Sequence, residues 1–412
     1  MKDINIIKIG GSVLDRPEAF LEVAEKIVYR FKKPICLITS AMSGKTNELI
    51  KTFHQAVPDG DFWNYERFIG MGEIQAAILL EATFKGMNRK ACAVLPWMRE
   101  WPLFISLKKR PDGRGDDRRD FSILKKSIQQ VDKYLRPLIK KNDVVIIPGF
   151  IVKNGKGRIL TLGRGGSDIS ALLVGELLGV EEITLIKDVE GVMSADPRVH
   201  KRARSISQID ADQLGVIASS GAKVVNPISL KHRDSIKRMK VLSVGSDDSK
   251  AGTEISFGKE ISIIPSRTVF SVLTFIGQRI PETPGILSEI SKILAKKGVS
   301  IHSITISDNL IAIYVEDAVA DESYQILAPL LEKIENLKVL NMKKKIGKIV
   351  VRSLKFINEP GIIRRITTPI AKQSINIWEI LTVHTDVMVF VEYGDLKRAT
   401  RIIRGVFEGG RV

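Results

Sequence analysis

The chain has 412 residues, 44% of them hydrophobic, and a formal net charge of +17. That length exceeds one ordinary core and fits two or three domains, while the ordinary apolar content excludes general disorder. The basic charge invites a nucleic-acid partner. No RNP-type aromatic motif, zinc-finger spacing or isolated basic helix accompanies it, so the reading adopted is a surface field that attracts small anions. The two cysteines, Cys36 and Cys92, exclude a disulfide framework, and Cys36 lies in an apolar run as packing material. Five scattered histidines lack metal-ligand spacing, so no protein-held metal site is predicted. No apolar stretch reaches the roughly 18 residues of a membrane span. A strand-like run begins at Ile4 with no signal-peptide core before it, so a cytoplasmic location without membrane or nucleic-acid partners is expected.

In chain order, strands are predicted at 4–9, 35–39, 90–95, 144–148, 183–187 and 241–244. Helical periodicity falls at 18–30, 72–84, 121–140, 169–178 and 211–220. Such alternation predicts a three-layer α/β domain over 1–257, with a mostly parallel central sheet. The segment 110–119, rich in glycine and in both charges, reads as an exposed loop. Beyond Gly258 the pattern changes. Glu282-Thr283-Pro284-Gly285-Ile286-Leu287 returns as Asn358-Glu359-Pro360-Gly361-Ile362-Ile363, 76 residues later. The same offset relates Val299-Ser300-Ile301 to Ile375-Asn376-Ile377, and Ile313-Tyr314-Val315 to Val389-Phe390-Val391. An unbroken register of this length marks an internal duplication. It predicts two small α+β modules, 258–345 (with a leading strand) and 346–412. The second copy lacks a final strand, which 261–264 could supply.

The residues suited to chemistry cluster at strand ends. Lys8-Ile9-Gly10-Gly11-Ser12 follows the first strand: its glycines admit a close ligand and the lysine supplies a point charge for phosphate. Alone, this motif is equally a plain Gly-Gly turn. Thr161-Leu162-Gly163-Arg164-Gly165-Gly166-Ser167-Asp168 opens a helix, where N–H groups and an arginine fork favour an anion. A capped turn would need neither the arginine nor so many glycines. Ser40-Ala41-Met42-Ser43-Gly44-Lys45-Thr46-Asn47 imitates a P-loop but lacks the upstream glycine, where Thr39 stands. Glu73 lies in a strongly apolar helix, facing either solvent or a cation in a pocket.

These motifs, together with Asp188-Val189-Glu190-Gly191-Val192, Ala195-Asp196-Pro197-Arg198 and Gly221-Ala222-Lys223-Val224-Val225-Asn226-Pro227, occur in an order that resembles the aspartate kinases. The repeated Pro-Gly-Ile modules are similar to the paired ACT domains of that family, in its monofunctional form. The resemblance implies ATP-dependent phosphorylation of the L-aspartate side chain with Mg²⁺. It implies that Lys8 and Asp168 are catalytic, and that Ser40, Ala41, Glu73, Arg164, Gly165 and Gly166 bind aspartate. On the nucleotide side it implies Lys8, Gly10, Gly11, Ser12, Lys187, Asp188, Met193, Arg198 and Lys223. It also implies a homodimer or dimer of dimers inhibited by threonine or lysine, bound near Thr283, Gly285, Ile286, Leu287, Ser300, His302 and Ser303. Threonine is preferred because His302 offers no fixed negative charge. Trp378 is expected to fill the matching pocket of the second copy. Departures from the family pattern are a glycine loop one residue shorter, Lys187 where threonine is common, Met193 where an aromatic is common, and Asn226 where histidine is common. The alternatives are a related kinase acting on glutamate, acetylglutamate or a nucleotide monophosphate, and a catalytically dead amino-acid sensor.

Overall fold

Two strands whose every residue is buried, Ile35–Thr39 and Val144–Pro148, form the middle of the first unit, as expected of strands covered on both faces. The computed structural model describes residues 4–58, 60–107, 121–163, 165–196, 199–219, 236–245, 252–357 and 359–408. They divide into two compact units, Met1–Glu260 and Ile261–Val412. The central sheet of the first unit has eight strands. Their spatial order is Gln208–Asp210, Thr253–Ser256, Arg238–Ser243, Glu182–Lys187, Asn5–Ile9, Ile35–Thr39, Val144–Pro148 and Ala91–Ala93. Every pairing is parallel except that of Arg238–Ser243 with Thr253–Ser256. The chain leaves Asn5–Ile9 toward one side and returns through Glu182–Lys187 on the other. The crevice outside the carboxyl ends of these two strands is therefore the topological switch point, where open α/β sheets hold ligands.

The period-2 pleat decides what faces that crevice. Ile7, Ile9 and Ile186 point into the core shared with the helices Ala19–Arg30 and Met71–Gly86. By alternation Lys8 and Lys187 point to the opposite face, which the helix Gly166–Leu178 covers. Gly175 keeps that helix close, since a Cβ there would lie 3.1 Å from Ile183. Cys36 is fully buried in this sheet, and burial pushes its thiol up to about 12, consistent with packing rather than reactivity.

Two sequence expectations need correction. Residues 121–140 are not one helix: Phe121–Ile123 is an edge strand on Phe104–Leu107, and the helix begins at Lys125. The alternation of buried Phe121 with exposed Ser122 carries a strand period that the helical pattern behind it obscured. The helices Lys45–Ala56 and Phe62–Ile69 and the hairpin Ile151–Asn154/Ile159–Thr161 were not foreseen. The loop expected at 110–119 lies outside the described residues.

In the second unit one 16-residue strand, Leu337–Arg352, serves both copies. Its first part pairs with Phe270–Gly277 and its last part with Asp386–Glu392. Ser262–Pro265 pairs with that last part too, so the strand upstream of the first copy completes the second. Alternation then builds two kinds of core. Ile311, Ile313 and Val315 face the helices of the first copy, and Val387, Val389 and Val391 face those of the second. The residues between them, Ala312, Tyr314 and Phe390, join Phe270, Val272 and Ile346 in an inner core. Tyr314 and Phe390 occupy equivalent positions in the repeat, and their rings lie 4.2 Å apart between centroids. Trp378, expected to fill a pocket, is instead 43% exposed with the Lys343 ammonium 4.8 Å from its ring centroid. It sits next to a register shift in its strand, which re-aims side chains.

Phe390→Ala should lower stability by about 3–5 kcal/mol, whereas Trp378→Ala should stay within about 0.5 kcal/mol. Urea unfolding followed by circular dichroism checks both, and equal losses would mean the inner core is not what holds the copies together.

Candidate active site

The site is built where the two lysines of the pleat meet the first turn of the helix Gly166–Leu178. Asp168 is 5% exposed there. Its Oδ1 lies 2.7 Å from Lys8 Nζ, and its Oδ2 lies 3.5 Å from Lys187 Nζ. Burial works against the charge of Asp168, but Lys8 and then Lys187 outweigh it and hold the carboxyl down at about 2. For Lys187 burial is the largest influence and lowers its pKa, against the pull of Asp168.

Backbone geometry brings the glycine motifs onto the same spot. The N–H of Gly10 donates to Ile186 O at 2.9 Å, and the Ser12 hydroxyl donates to Asp188 Oδ1 at 2.7 Å. The turn after the first strand is thereby tied to the turn after Glu182–Lys187. At Gly11 a Cβ would lie 2.6 Å from Ala41 O, so no larger residue fits without moving the Ser40–Ala41 turn. Gly163 and Gly165 adopt φ of +76° and +74°, values that favour glycine and let the chain turn into the helix.

A cavity of about 690 Å³ opens beside these groups. Its lining includes Lys8, Gly11, Ser12, Ser40, Ala41, Glu73, Gly165 and Gly166. Glu73 is 4% exposed, and its Oε2 is buried without a hydrogen-bond partner among the described residues. Burial pushes its carboxyl up to about 8, although the N–H groups of Glu73 and Ala41 and the charge of Lys8 oppose the shift. A buried orphan carboxyl oxygen in a cavity wall is suited to a ligand that brings a cation.

Sequence reasoning missed Glu66. It is fully buried, and its Oε2 accepts from the Thr161 N–H at 2.6 Å and the Thr161 hydroxyl at 2.9 Å. It thus anchors the start of the loop that ends at Asp168. Its helix, Phe62–Ile69, was itself unforeseen, so nothing marked the carboxylate as inward-facing. Phe150 was missed too: it holds φ at +66°, with its N–H on the Ser170 hydroxyl at 3.0 Å.

Not every predicted residue joins the cavity. Gly10, Asp168, Lys187 and Asp188 are not part of the lining: Asp168 adjoins it through its ion pair with Lys8, Lys187 lies 3.5 Å from Asp168, and Asp188 accepts from the lining residue Ser12. Met193 stands on the short hairpin Val192–Met193/Ser205–Ile206 and is not part of the lining. Arg164, Arg198, Lys223 and Asn226 lie outside the described residues. In the second unit Gly285 takes φ +95° and begins the helix Ile286–Lys296, with Ile286 buried and Leu287 half-buried. Thr283 donates to Arg279 O at 3.0 Å, Ser300 is exposed and Ser303 begins its strand. His302 Nε2 lies 3.4 Å from Glu316 Oε1. A carboxylate therefore stands beside His302, which removes the reason given for preferring threonine over lysine.

The profile of the amino acid kinase family matches residues 3–233. The chain belongs to that family. It is a kinase, a phosphotransferase, and the whole of it resembles one kind of member. It is 27% identical to the aspartokinase of Thermus thermophilus, over 97% of this chain and 98% of that protein. It is 25% identical to the aspartokinase of Helicobacter pylori, with the same coverage of 97% and 98%. The aspartate kinase structure from Synechocystis matches with a TM-score of 0.72 at 21% identity, covering 98% of this chain and 69% of that one. E. coli aspartokinase III, in complex with aspartate and ADP, matches with a TM-score of 0.53 at 18% identity, covering 98% and 100%. These structures share the kinase's fold.

The raised Glu73 carboxyl gives a prediction with a definite sign. Near pH 4 the group is largely protonated, folded or unfolded. Between the ordinary value of 4.5 and about 8 it ionises only when unfolded, so it penalises folding increasingly as pH rises. Glu73→Gln should therefore raise Tm relative to the parent at pH 8 and change it little at pH 4. A pH-independent difference between the two melting curves would refute the assignment.

Proposed function

We propose that the chain is an aspartate kinase, transferring the γ-phosphoryl group of Mg–ATP to the side-chain carboxylate of L-aspartate. The observation that supports this reading is that Lys8, ion-paired to Asp168, and the orphaned Glu73 carboxyl line the same cavity. An amino acid with an anionic side chain complements such a wall: its ammonium meets Glu73, and its reactive carboxylate turns toward Lys8. The volume falls within the roughly 300–1,000 Å³ of small-molecule sites. The aspartokinase names of its full-length relatives point to the same acceptor.

The acceptor carboxylate is ionised at neutral pH, so the reaction needs no general base. What opposes it is repulsion between that carboxylate and the triphosphate. Catalysis is then positioning and charge neutralisation. Lys8 holds the transferring group, and Asp168 holds Lys8. Ser40 and Ala41 line the amino-acid side with Gly165 and Gly166, while Gly10, Gly11, Ser12, Lys187 and Asp188 form the nucleotide side. Magnesium is read as part of the nucleotide substrate. Among the described residues no group of three or more His, Cys, Asp or Glu side chains could hold a metal, and magnesium is commonly carried by phosphate oxygens and water.

The product, 4-phospho-L-aspartate, is an activated acyl phosphate that stands at the head of lysine, threonine and methionine synthesis in aspartate kinases. An end-product amino acid is accordingly proposed to bind the second unit near Thr283, Gly285, Ser300, His302 and Ser303 and to favour a less active state of a dimer. Lysine and threonine are both retained as effectors. The bound lysine in one E. coli aspartokinase III structure, of TM-score 0.51 and 17% identity, is a property of that protein.

ATP turnover with aspartate, trapped by hydroxylamine as the aspartyl hydroxamate, tests the reaction. Turnover with glutamate alone, or without any acceptor, would refute aspartate as substrate. Lys8→Ala should cut kcat by more than about tenfold, at least 1.4 kcal/mol of barrier, and a smaller loss would remove Lys8 from phosphoryl transfer. For regulation, titration calorimetry with lysine and with threonine should give heat that Gly285→Asp abolishes. Neither heat nor inhibition with either amino acid would leave the second unit a scaffold.

A further inference from the structure

The cavity of the proposed reaction has a neighbour. Across the same helices lies a second cavity, of about 580 Å³. Three helices line both. Lys45–Ala56 gives Ile50 to the first and Phe53 to the second, Phe62–Ile69 gives Tyr65 and Phe68, and Met71–Gly86 gives Glu73 and Ile74. Aromatic rings form the partition: between centroids, Phe53 lies 5.3 Å from Tyr65 and 5.7 Å from Phe68. The second cavity is thus one aromatic layer away from the amino-acid side of the first.

Its wall is chemically uneven. Phe53, Phe68, Ile74 and Trp97 make most of it apolar. Trp97 is 63% exposed and Met71 37%. Exposed apolar groups gathered round one concavity, rather than scattered singly, mark a binding surface. The polar groups of the helix Phe62–Ile69 and its cap stand along one edge. Asp61 is committed there, since its carboxylate accepts the N–H groups of Trp63 and Asn64 at 3.2 and 3.1 Å. The Arg67 guanidinium is not: it makes no hydrogen bond, ion pair or ring contact among the described residues. Asp61 and Arg67 are separated by roughly 9 Å along the helix axis, so an anion at Arg67 stands clear of Asp61. A cavity of this size, mostly aromatic and aliphatic with one free guanidinium at its edge, complements a flat apolar body carrying a single anionic head.

We propose that this second cavity binds a small aromatic monocarboxylate, its ring among Phe53, Phe68 and Trp97 and its carboxylate on Arg67, and that its occupancy is felt at the amino-acid site. The binding itself stands apart from the aspartate kinase reading, and only its readout at aspartate rests on that reading. The coupling comes from shared parts. A ring held against Phe53 and Phe68 restricts the Tyr65 ring, and Met71 and Ile74 flank Glu73 in the first turn of one helix. Whatever shift the carboxylate imposes on these groups changes the affinity for the amino acid, and the amino acid changes the affinity for the carboxylate by the same factor.

The probe is 3-phenylpropionate, titrated calorimetrically into the full-length parent, Arg67→Ala, Arg67→Lys and Met71→Trp. Its neutral amide is the control, and melting curves confirm folding. The parent should bind the carboxylate with a Kd of about 1 mM or tighter, as suits a ligand of this size. Arg67→Ala, and the amide on the parent, should each lose about fivefold or more, and Arg67→Lys should lose less. Met71→Trp should abolish binding by filling the cavity. No binding by the parent overturns the site, and so does binding that survives Met71→Trp, which would place the probe elsewhere. Equal affinity for acid and amide, or for parent and Arg67→Ala, overturns the anionic head. In the hydroxamate assay, saturating probe should change KM for aspartate by about twofold or more in the parent and leave it unchanged in Arg67→Ala. Bound probe with an unchanged KM overturns the coupling. A parent that phosphorylates only glutamate refutes the acceptor, while the calorimetry still decides the site. By light scattering Trp97→Asp should match the parent. A smaller assembly would make this wall a contact between copies of the chain and overturn the inference.

Discussion

A single carboxylate, Asp168, organises the first unit's chemistry. Buried charge survives only with partners, and Asp168 has lysines from two neighbouring strands. The requirement runs backward into the fold. The strands must be adjacent and parallel so that both lysines leave the sheet on one face. The helix Gly166–Leu178 must begin at that height, and its first turn must be able to approach the sheet. Gly166 answers the last demand: a Cβ there would lie 2.8 Å from both Leu162 and Phe150. The helix start also favours negative charge through the aligned dipoles of its peptide groups, so Asp168 and the phosphate of the proposed reaction draw on the same field.

Around that pair the supporting shell is polar but not catalytic. Glu66 holds Thr161 and Ser170 holds Phe150, with its own hydroxyl donating to Gly166 O at 3.0 Å. Both contacts fix backbone rather than ligand. The two ends of the hairpin Ile151–Asn154/Ile159–Thr161, at Phe150 and Thr161, are therefore set by Ser170 and Glu66, neither of which lines the cavity. Precision at such a site depends on contacts of this kind.

Much of this was legible in the sequence, for identifiable reasons. Strands buried on both faces read as unbroken apolar runs, and 35–39 and 144–148 match the observed spans. Lys8, Gly10 and Asp168 stood out because glycines and charges at strand ends have few structural uses. Glu66 did not stand out, because one glutamate on an amphipathic helix has the same appearance whether it faces solvent or protein. Trp378 was misread because burial was inferred from side-chain size alone, while a register shift decides where it points. The charge beside His302 was invisible because Glu316 ends the neighbouring strand and comes near only when the strands pair.

The interlacing of the second unit bears on ancestry. Each copy has its own helices and outer core, yet Leu337–Arg352 joins the strands of both in one seven-stranded sheet, and the strand Ser262–Pro265 reaches past the whole first copy to close the second. A break in the gene between the repeats would leave the first fragment holding a strand that belongs to the other. The duplicated pair is thus indivisible by simple truncation. Once such an exchange of strands was established, loss of either copy would expose an open sheet edge, and selection against aggregation would keep both even where only one has a ligand to bind.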